Sequence, residues 1–237
     1  MSMPDQKVVV ITGASRGIGA GLVDAYRRLG HAVVATSRTI APANDAGILT
    51  VQGDIADPAT AERVIAAAVE RFGHIDTLVN NAGAFVAKPF TDYTADDYAT
   101  VTGANLIGFF QLTQLAVGQL LTQGGGHIVT ITSSLADNAD ARVPSVLASL
   151  TEGALRSATK SLAIEYATRG IRANAVSPGA IRNPTHAEET HRFLADRHPA
   201  GRIGEVGDIV DAVLYLENAL FVTGEILHVD GGIRAGN

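Results

Sequence analysis

Gly13, Gly17 and Gly19 stand between the apolar run Val8-Val9-Val10-Ile11 and a helical pattern that begins at Gly17. Glycines at a strand-to-helix turn let the backbone bend, let it approach a ligand and let helix pack on strand. The helix N-terminus then faces whatever is bound. The ligand suited to such a turn is a dinucleotide, its pyrophosphate held by amides of Gly13, Ser15, Arg16, Gly17, Ile18 and Gly19. A tight loop without a ligand is the bland alternative for three glycines. Their context, after a strand and before a helix, favours the nucleotide. Charge then selects the nucleotide. The second strand ends in Thr36-Ser37-Arg38, with no acid there to repel a phosphate. Two guanidiniums, Arg16 and Arg38, near one ribose suit a 2′-phosphate, which favours NADP(H) over NAD(H). Two solvated surface arginines are the competing reading.

The elements that would position these residues alternate. Candidate strands are 8–12, 32–36, 48–52, 77–80, 127–132, 172–176 and 225–229. Candidate helices are 17–29, 60–72, 95–121, 145–168, 189–196 and 206–216. Runs such as Ile128-Val129-Thr130-Ile131 are apolar on both faces, as a sheet covered by helices on both sides requires. The expected fold is therefore α/β, a doubly wound (Rossmann) parallel sheet. No linker, repeat or low-complexity tract interrupts it, so residues 1–237 are expected to form one domain. A TIM barrel would place its phosphate site late in the chain rather than in the first βα turn.

Bulk properties narrow the function. With no cysteine among 237 residues there is no disulfide, thiolate metal site or Cys nucleophile. A net charge of −6 without a Lys/Arg block argues against nucleic acid as partner. The first apolar run is too short for a signal peptide or a membrane span. A soluble cytoplasmic protein with a small-molecule substrate is the expectation.

The glycine turn, Asn80-Asn81-Ala82-Gly83 and the closing Val229-Asp230-Gly231-Gly232 together resemble a short-chain dehydrogenase/reductase over the whole chain. The resemblance implies a cofactor site that also includes Ser37, Asp54, Ile55, Asn81, Ala82 and Gly83. Asp54 would lie beside the adenine, although turn chemistry alone explains a Gly-Asp pair. Pro178, Gly179 and Ile181 resemble the segment that receives the nicotinamide carboxamide, with Thr185 a shifted candidate for its hydroxyl partner.

In that family hydride passes between nicotinamide and a carbonyl or alcohol carbon. A Ser orients the substrate oxygen, a Tyr exchanges its proton, a Lys lowers the Tyr pKa and binds ribose, and an Asn supports a water relay. Ser134 and Asn105 match the Ser and Asn, although strand-end hydrogen bonding would also account for Ser134 or its neighbour Ser133. The Tyr-x-x-x-Lys pair is where the resemblance breaks. Gly153-Ala154-Leu155 and Thr159-Lys160-Ser161-Leu162-Ala163 fix the alignment, which puts Ala148 in the Tyr slot and Glu152 in the Lys slot. Ala148 has no proton to give, and a carboxylate raises the pKa of a nearby acid rather than lowering it. Tyr166 is too far along the helix to substitute, and Lys160 points away.

Three readings follow. One is an NADP(H)-dependent oxidoreductase with a non-standard proton donor, drawing on Ser134, water or a protonated Glu152. Another is a silent NADP(H)-binding sensor or non-catalytic subunit. The third is an altered enzyme whose parent carried a Tyr. Glu152 as a solvated helix residue without a role is the bland alternative to its use. Phe85, Lys88 and a lid over 182–198 would frame an apolar substrate. The lid's His186, His191 and His198 are too unevenly spaced for a metal site, so none is expected. The resemblance also implies a homo-oligomer, dimer or tetramer, paired through the helices at 95–121 and 145–168. Leu106, Phe109, Phe110 and Leu112 would supply the surplus apolar surface.

Overall fold

In the computed structural model, which describes residues 6–183 and 187–236, seven strands form one parallel sheet. In chain order the strands are β1 (Val8–Thr12), β2 (Ala32–Ser37), β3 (Ile48–Gln52), β4 (Thr77–Asn80), β5 (Gly126–Ile131), β6 (Ile171–Pro178) and β7 (Ile226–Val229). Their spatial order is β3-β2-β1-β4-β5-β6-β7, so the chain reverses direction between β1 and β4. Ligands of open α/β sheets bind outside the strand ends at such a reversal. Pairing Val10 with both Val34 and Leu78 fixes the central register.

Strand side chains alternate between two faces, and each face has its own core. Val8 and Val10 pack with α2 (Pro58–Phe72) and α4 (Gly108–Thr122), through Val64, Phe72, Leu112 and Leu120. Val9 and Ile11 pack with α1 (Gly17–Arg28) and α7 (Val206–Asn218), through Leu22, Tyr26, Ile209 and Leu216. The doubly wound α/β fold is thus as the sequence predicts.

The expected helix 95–121 is corrected. It is α3 (Ala95–Thr102), a π-helical turn over Gly103–Ile107, then α4. The turn widens the helix where Asn105 points inward, and such turns occur mostly at functional sites. Helix α5 (Val146–Tyr166) follows a loop that begins with a 3-10 turn at Ser134–Ala136. The expected helix 189–196 is α6 (Glu188–Ala195), while Thr185 and His186 lie outside the described residues.

One part of the expected apolar surface is also corrected: Leu112 is fully buried in the core, because it faces the sheet. Phe110 is exposed, as are Ile107 and Leu115 on the same stretch and Val146, Leu150 and Ile164 on α5. Among the described residues no helix is long and apolar enough to cross a membrane.

Candidate active site

The glycine loop joins the C-terminal end of β1 to α1, at the reversal of strand order. Gly13 has φ +64° and Gly17 φ +56°, conformations that disfavour any side chain. Crowding is different at each glycine. A Cβ on Gly13 would fall 2.9 Å from Asn81 Nδ2, and one on Gly19 would collide with the Gly13 carbonyl oxygen. A Cβ on Gly17 would meet nothing within 4 Å, so the loop faces open space there. Arg16 stands at the N-cap without a side-chain capping bond, and the first turn of α1 carries no acid. Exposed amides at an uncapped helix N-terminus suit an anionic group, so the residues present fit a dinucleotide pyrophosphate.

Asn81 holds this loop to β4. Its Nδ2 donates to Thr12 O at 2.8 Å and to Gly13 O at 3.3 Å. The amides of Asn81 and Ala82 both donate to Thr12 Oγ1, at 2.9 and 2.8 Å. Thr12 is a residue the sequence reading passed over. Its place as the last residue of β1, beside a Gly turn, was the only available signal. Ala14 N donates to Thr36 O at 3.1 Å, which sets the glycine loop beside the end of β2 and hence beside Ser37 and exposed Arg38. Asp54 is exposed and uses Oδ1 to accept from Ala56 N at 3.0 Å, a turn role that leaves Oδ2 outward. Ile55 is buried and sits against Gly108. At the end of β6, Gly179 N donates to Val229 O, and a Cβ on Gly179 would stand 2.5 Å from His198 Nε2. Ile181 bridges Gly204.

Near the end of β5 the chemistry-bearing residues converge. Ser133, not Ser134, takes the strand-end bond: its hydroxyl accepts from Leu135 N at 3.2 Å. Ser134 is buried at the start of the 3-10 turn. Asn105 is buried and works as a hub. Its Oδ1 accepts from Ala84 N at 2.8 Å, and its Nδ2 faces Thr151 Oγ1 at 3.0 Å, Ala84 O at 3.2 Å and Glu152 Oε1 at 3.3 Å. Two amide hydrogens cannot fully serve three acceptors, so the Glu152 contact is the loosest. Gly83 lies alongside, where a Cβ would be 3.4 Å from Asn105 Oδ1.

Glu152 is not the solvated residue of the bland reading. Its Oε2 is shut off from solvent and has no hydrogen-bond partner. Burial pushes the carboxyl up to about 7, with the charge of Arg156 drawing it partly back. Ala148 is only 2% exposed, so its position is a filled wall and not an opening. Lys160 is exposed, as expected. One helical turn beyond Glu152, Arg156 is buried and bound to Asp137, which also meets His228 and Arg234. His228 Nε2 lies 2.6 Å from Arg156 and 2.9 Å from Asp137, so it can accept from one or donate to the other, not both.

A family profile described as enoyl-(acyl carrier protein) reductase, of the short-chain type, matches residues 13–234. The chain belongs to the short-chain dehydrogenase/reductase family. It is 35% identical over 253 residues to an uncharacterized oxidoreductase of Methylorubrum extorquens, covering 99% of this chain and 100% of the relative. Its fold matches ElxO solved with NADP bound at a TM-score of 0.90, with 27% identity and 97% and 99% of the two chains covered. A Tyr-to-Phe variant of ElxO was solved with NADPH bound. A short-chain dehydrogenase of Leptospira borgpetersenii with bound NAD+ matches at 0.90 as well, with 29% identity and 97% and 93% coverage.

Within this short-chain dehydrogenase/reductase chain, a void of about 10 Å³ adjoins Asn105 and is lined by Thr12, Asn80 and Thr130 among others. Thr130 Oγ1 is buried without a partner, and the void is about the size of one water. A larger cavity of about 400 Å³ lies elsewhere, between the ends of β6 and β7 and the start of α7. His191 and His198 have structural bonds. Ala180 N donates to His198 Nε2 at 3.0 Å, so Nδ1 carries the hydrogen given to Leu194 O at 2.7 Å. His191 Nε2 meets Asn183 O at 3.0 Å. Among the described residues no group of three or more His, Asp or Glu could hold a metal ion. Arg197, just after α6, meets Asp140 of the β5–α5 loop at 2.8 Å, and Lys88 is paired with Asp97 at 2.6 Å.

Proposed function

We propose that residues 1–237 work as one NADP(H)-dependent oxidoreductase domain acting on a carbonyl or alcohol, with Glu152 as its proton carrier. The observation that carries this reading is the Glu152 carboxyl itself, buried, unpartnered at Oε2 and within reach of the Asn105 amide. Ala148 and Glu152 take the slots where the family has Tyr and Lys. When bound, the cofactor supplies or accepts the hydride.

The chain's residues do the rest. Amides of Ser15 to Gly19 hold the pyrophosphate, and Arg16, Ser37 and Arg38 hold the 2′-phosphate. Asp54 and Ile55 flank the adenine; Asn81, Ala82, Gly83, Pro178, Gly179 and Ile181 line the nicotinamide. Ser134 orients the substrate oxygen. Because burial raises the Glu152 carboxyl to about 7, the acid form is well populated at neutral pH and can give a proton to that oxygen as the carbonyl carbon is reduced. Asn105 Nδ2 lies 3.3 Å from Oε1, and Oε2, buried and unpartnered, has no bond within the protein to hold its proton. The small void beside Asn105, with the unpartnered Thr130 hydroxyl at its wall, fits a water that returns the proton.

A silent binding protein remains the second reading, favoured by the absence of any phenol at Ala148 and by NADPH binding in the Tyr-to-Phe variant of ElxO. The two separate in one experiment. NADPH binding is followed by fluorescence, and oxidation is followed against ketones, aldehydes and quinones. In the expected result the unaltered protein turns over, and Glu152→Gln keeps its NADPH affinity but loses about 10²- to 10⁴-fold in rate. Turnover confined to Ala148→Tyr with Glu152→Lys would establish the silent reading instead. No affinity for NADPH would end both.

A further inference from the structure

Glu152 and Arg156 are four residues apart on α5, with the acid nearer the N-terminus. This is the spacing and order at which helix carboxylates and guanidiniums pair most readily. Here they do not pair. Arg156 is buried and turns instead to Asp137, at 2.5 Å, and to His228 Nε2, at 2.6 Å. Asp137 in turn meets His228 at 2.9 Å and Arg234 at 3.2 Å. Burial works against the charge on Asp137, yet Arg156, His228 and Arg234 hold its carboxyl below the usual range. Glu152 keeps only the Asn105 amide on one oxygen and nothing on the other.

We propose that Asp137 is a positioning residue: by anchoring Arg156 it keeps that guanidinium off Glu152, which leaves the Glu152 carboxyl neutral and able to donate a hydrogen bond. The inference rests on Glu152 being the proton carrier. Its physical basis is that a guanidinium drawn to about 4–6 Å from a carboxyl favours the ionised form by roughly 1 to 3 pH units. A guanidinium already neutralised by another carboxylate exerts far less. The other elements packed on α5 bring no free charge to Glu152: the 3-10 turn at Ala167–Arg169 carries Arg169 over the Tyr166 ring at the far end of the helix, and Asp96 of α3 is exposed. The π-turn brings the uncharged Asn105, and the 3-10 turn after β5 leads into Asp137 itself. Helix α3 brings Asp97, already bound to Lys88. Strand β6 brings Arg172, held near the start of that strand by the carbonyls of Leu216 and Glu217. His228 and Arg234 stand on the Asp137 side of Arg156.

The test reads the protonation of Glu152 directly, from the infrared carbonyl stretch of its acid form, assigned by its loss in Glu152→Gln. It needs no substrate. Asp137→Asn is expected to move the titration midpoint of Glu152 down by about one pH unit or more, about a tenfold loss of the acid form above the midpoint. Asp137→Asn with Arg156→Met is expected to return it to the unaltered value or above, and the pH profile of turnover should move with it. An unmoved midpoint in Asp137→Asn, or a midpoint still lowered in the double variant, overturns the proposal. Arg156→Met alone guards against an unfolded Asp137 variant. A small rise, less than about half a pH unit, supports the anchor. A rise of about one unit or more marks Arg156 as Glu152's own partner and overturns it. If Glu152→Gln turns over normally while these midpoints behave as expected, the proton-carrier reading fails and the anchoring stands.

Discussion

Burying a carboxyl without a partner costs most when it is charged, and at Glu152 that cost depends on pH. Its folded-state pKa, about 7, lies above the usual value of 4.5, so between those values the folded protein binds a proton that the unfolded chain has released. The stabilisation is complete below about pH 4.5 and is lost as pH rises through 7. Glu152→Gln stays neutral throughout. It is therefore expected to match the unaltered protein near pH 4 and to exceed it by up to roughly 3 kcal/mol at pH 8, measured by urea unfolding. Equal stability of the two proteins at pH 8 would mean that the carboxyl is solvated. At this scale the sequence was legible where geometry is local. The turn from Gly13 to Gly19 lies between a readable strand and a readable helix, and Asn81 sits one residue past another strand. The Arg156–Asp137 pair was not legible, because nineteen residues and a loop of unpredictable path separate them.

Element boundaries were read nearly correctly wherever an apolar period ends in a glycine or an Asp cap. Strands β1, β3 and β4 have the expected limits, and the others differ by a residue or two. The long helix failed for a physical reason: a π-turn adds about one residue without disturbing the apolar pattern on either side, so periodicity reads through it. Two glycines in α4 make the consequence measurable. A Cβ on Gly108, just after the turn, would meet Ile55 Cγ2 at 2.6 Å, whereas one on Gly118 would meet nothing within 4 Å. Gly108→Ala is expected to cost about 1–3 kcal/mol by overpacking, and to lower turnover by displacing Asn105. Gly118→Ala, in the same helix, should gain about 0.5–1 kcal/mol from helix propensity alone. Denaturant melts of the two variants check the opposite signs. A neutral Gly108→Ala would show that α4 can slide on Ile55, and that the π-turn is not held from that side.

Across the whole molecule, a second set of buried polar and ionisable groups lies toward the N-terminal ends of the strands, away from the cofactor loop, and ties five elements together. Glu217 of α7 accepts from Thr77 Oγ1 of β4 at 3.0 Å, from Tyr26 of α1 at 3.4 Å and from His127 Nδ1 of β5 at 3.0 Å. Asn174 of β6 completes it. Its Oδ1 accepts from Glu225 N, which fixes the amide so that Nδ2 donates to His127 Nε2 at 3.1 Å. With Nε2 accepting, His127 is neutral and its one hydrogen sits on Nδ1 toward Glu217. A second proton would have to enter where Asn174 and Arg172 already point N–H groups. Burial, the largest cause, holds His127 below its ordinary 6.5, with Glu217 opposing. Below pH 6.5 the unfolded chain therefore binds a proton that the folded one refuses, and stability falls as pH drops. One such group gives a slope of at most about 1.4 kcal/mol per pH unit. Half-buried His31, lowered mainly by burial as well, adds to it. Glu152 acts in the opposite sense over the same interval, so the test is made with Glu152→Gln: that variant should weaken steadily from pH 6.5 toward 5.5, and adding His127→Gln, though destabilising at pH 7, should flatten the profile. In the unaltered protein the two trends overlap below pH 6.5 and largely cancel, so its own profile there should be shallow. Parallel profiles for Glu152→Gln with and without His127→Gln would place the acid sensitivity elsewhere.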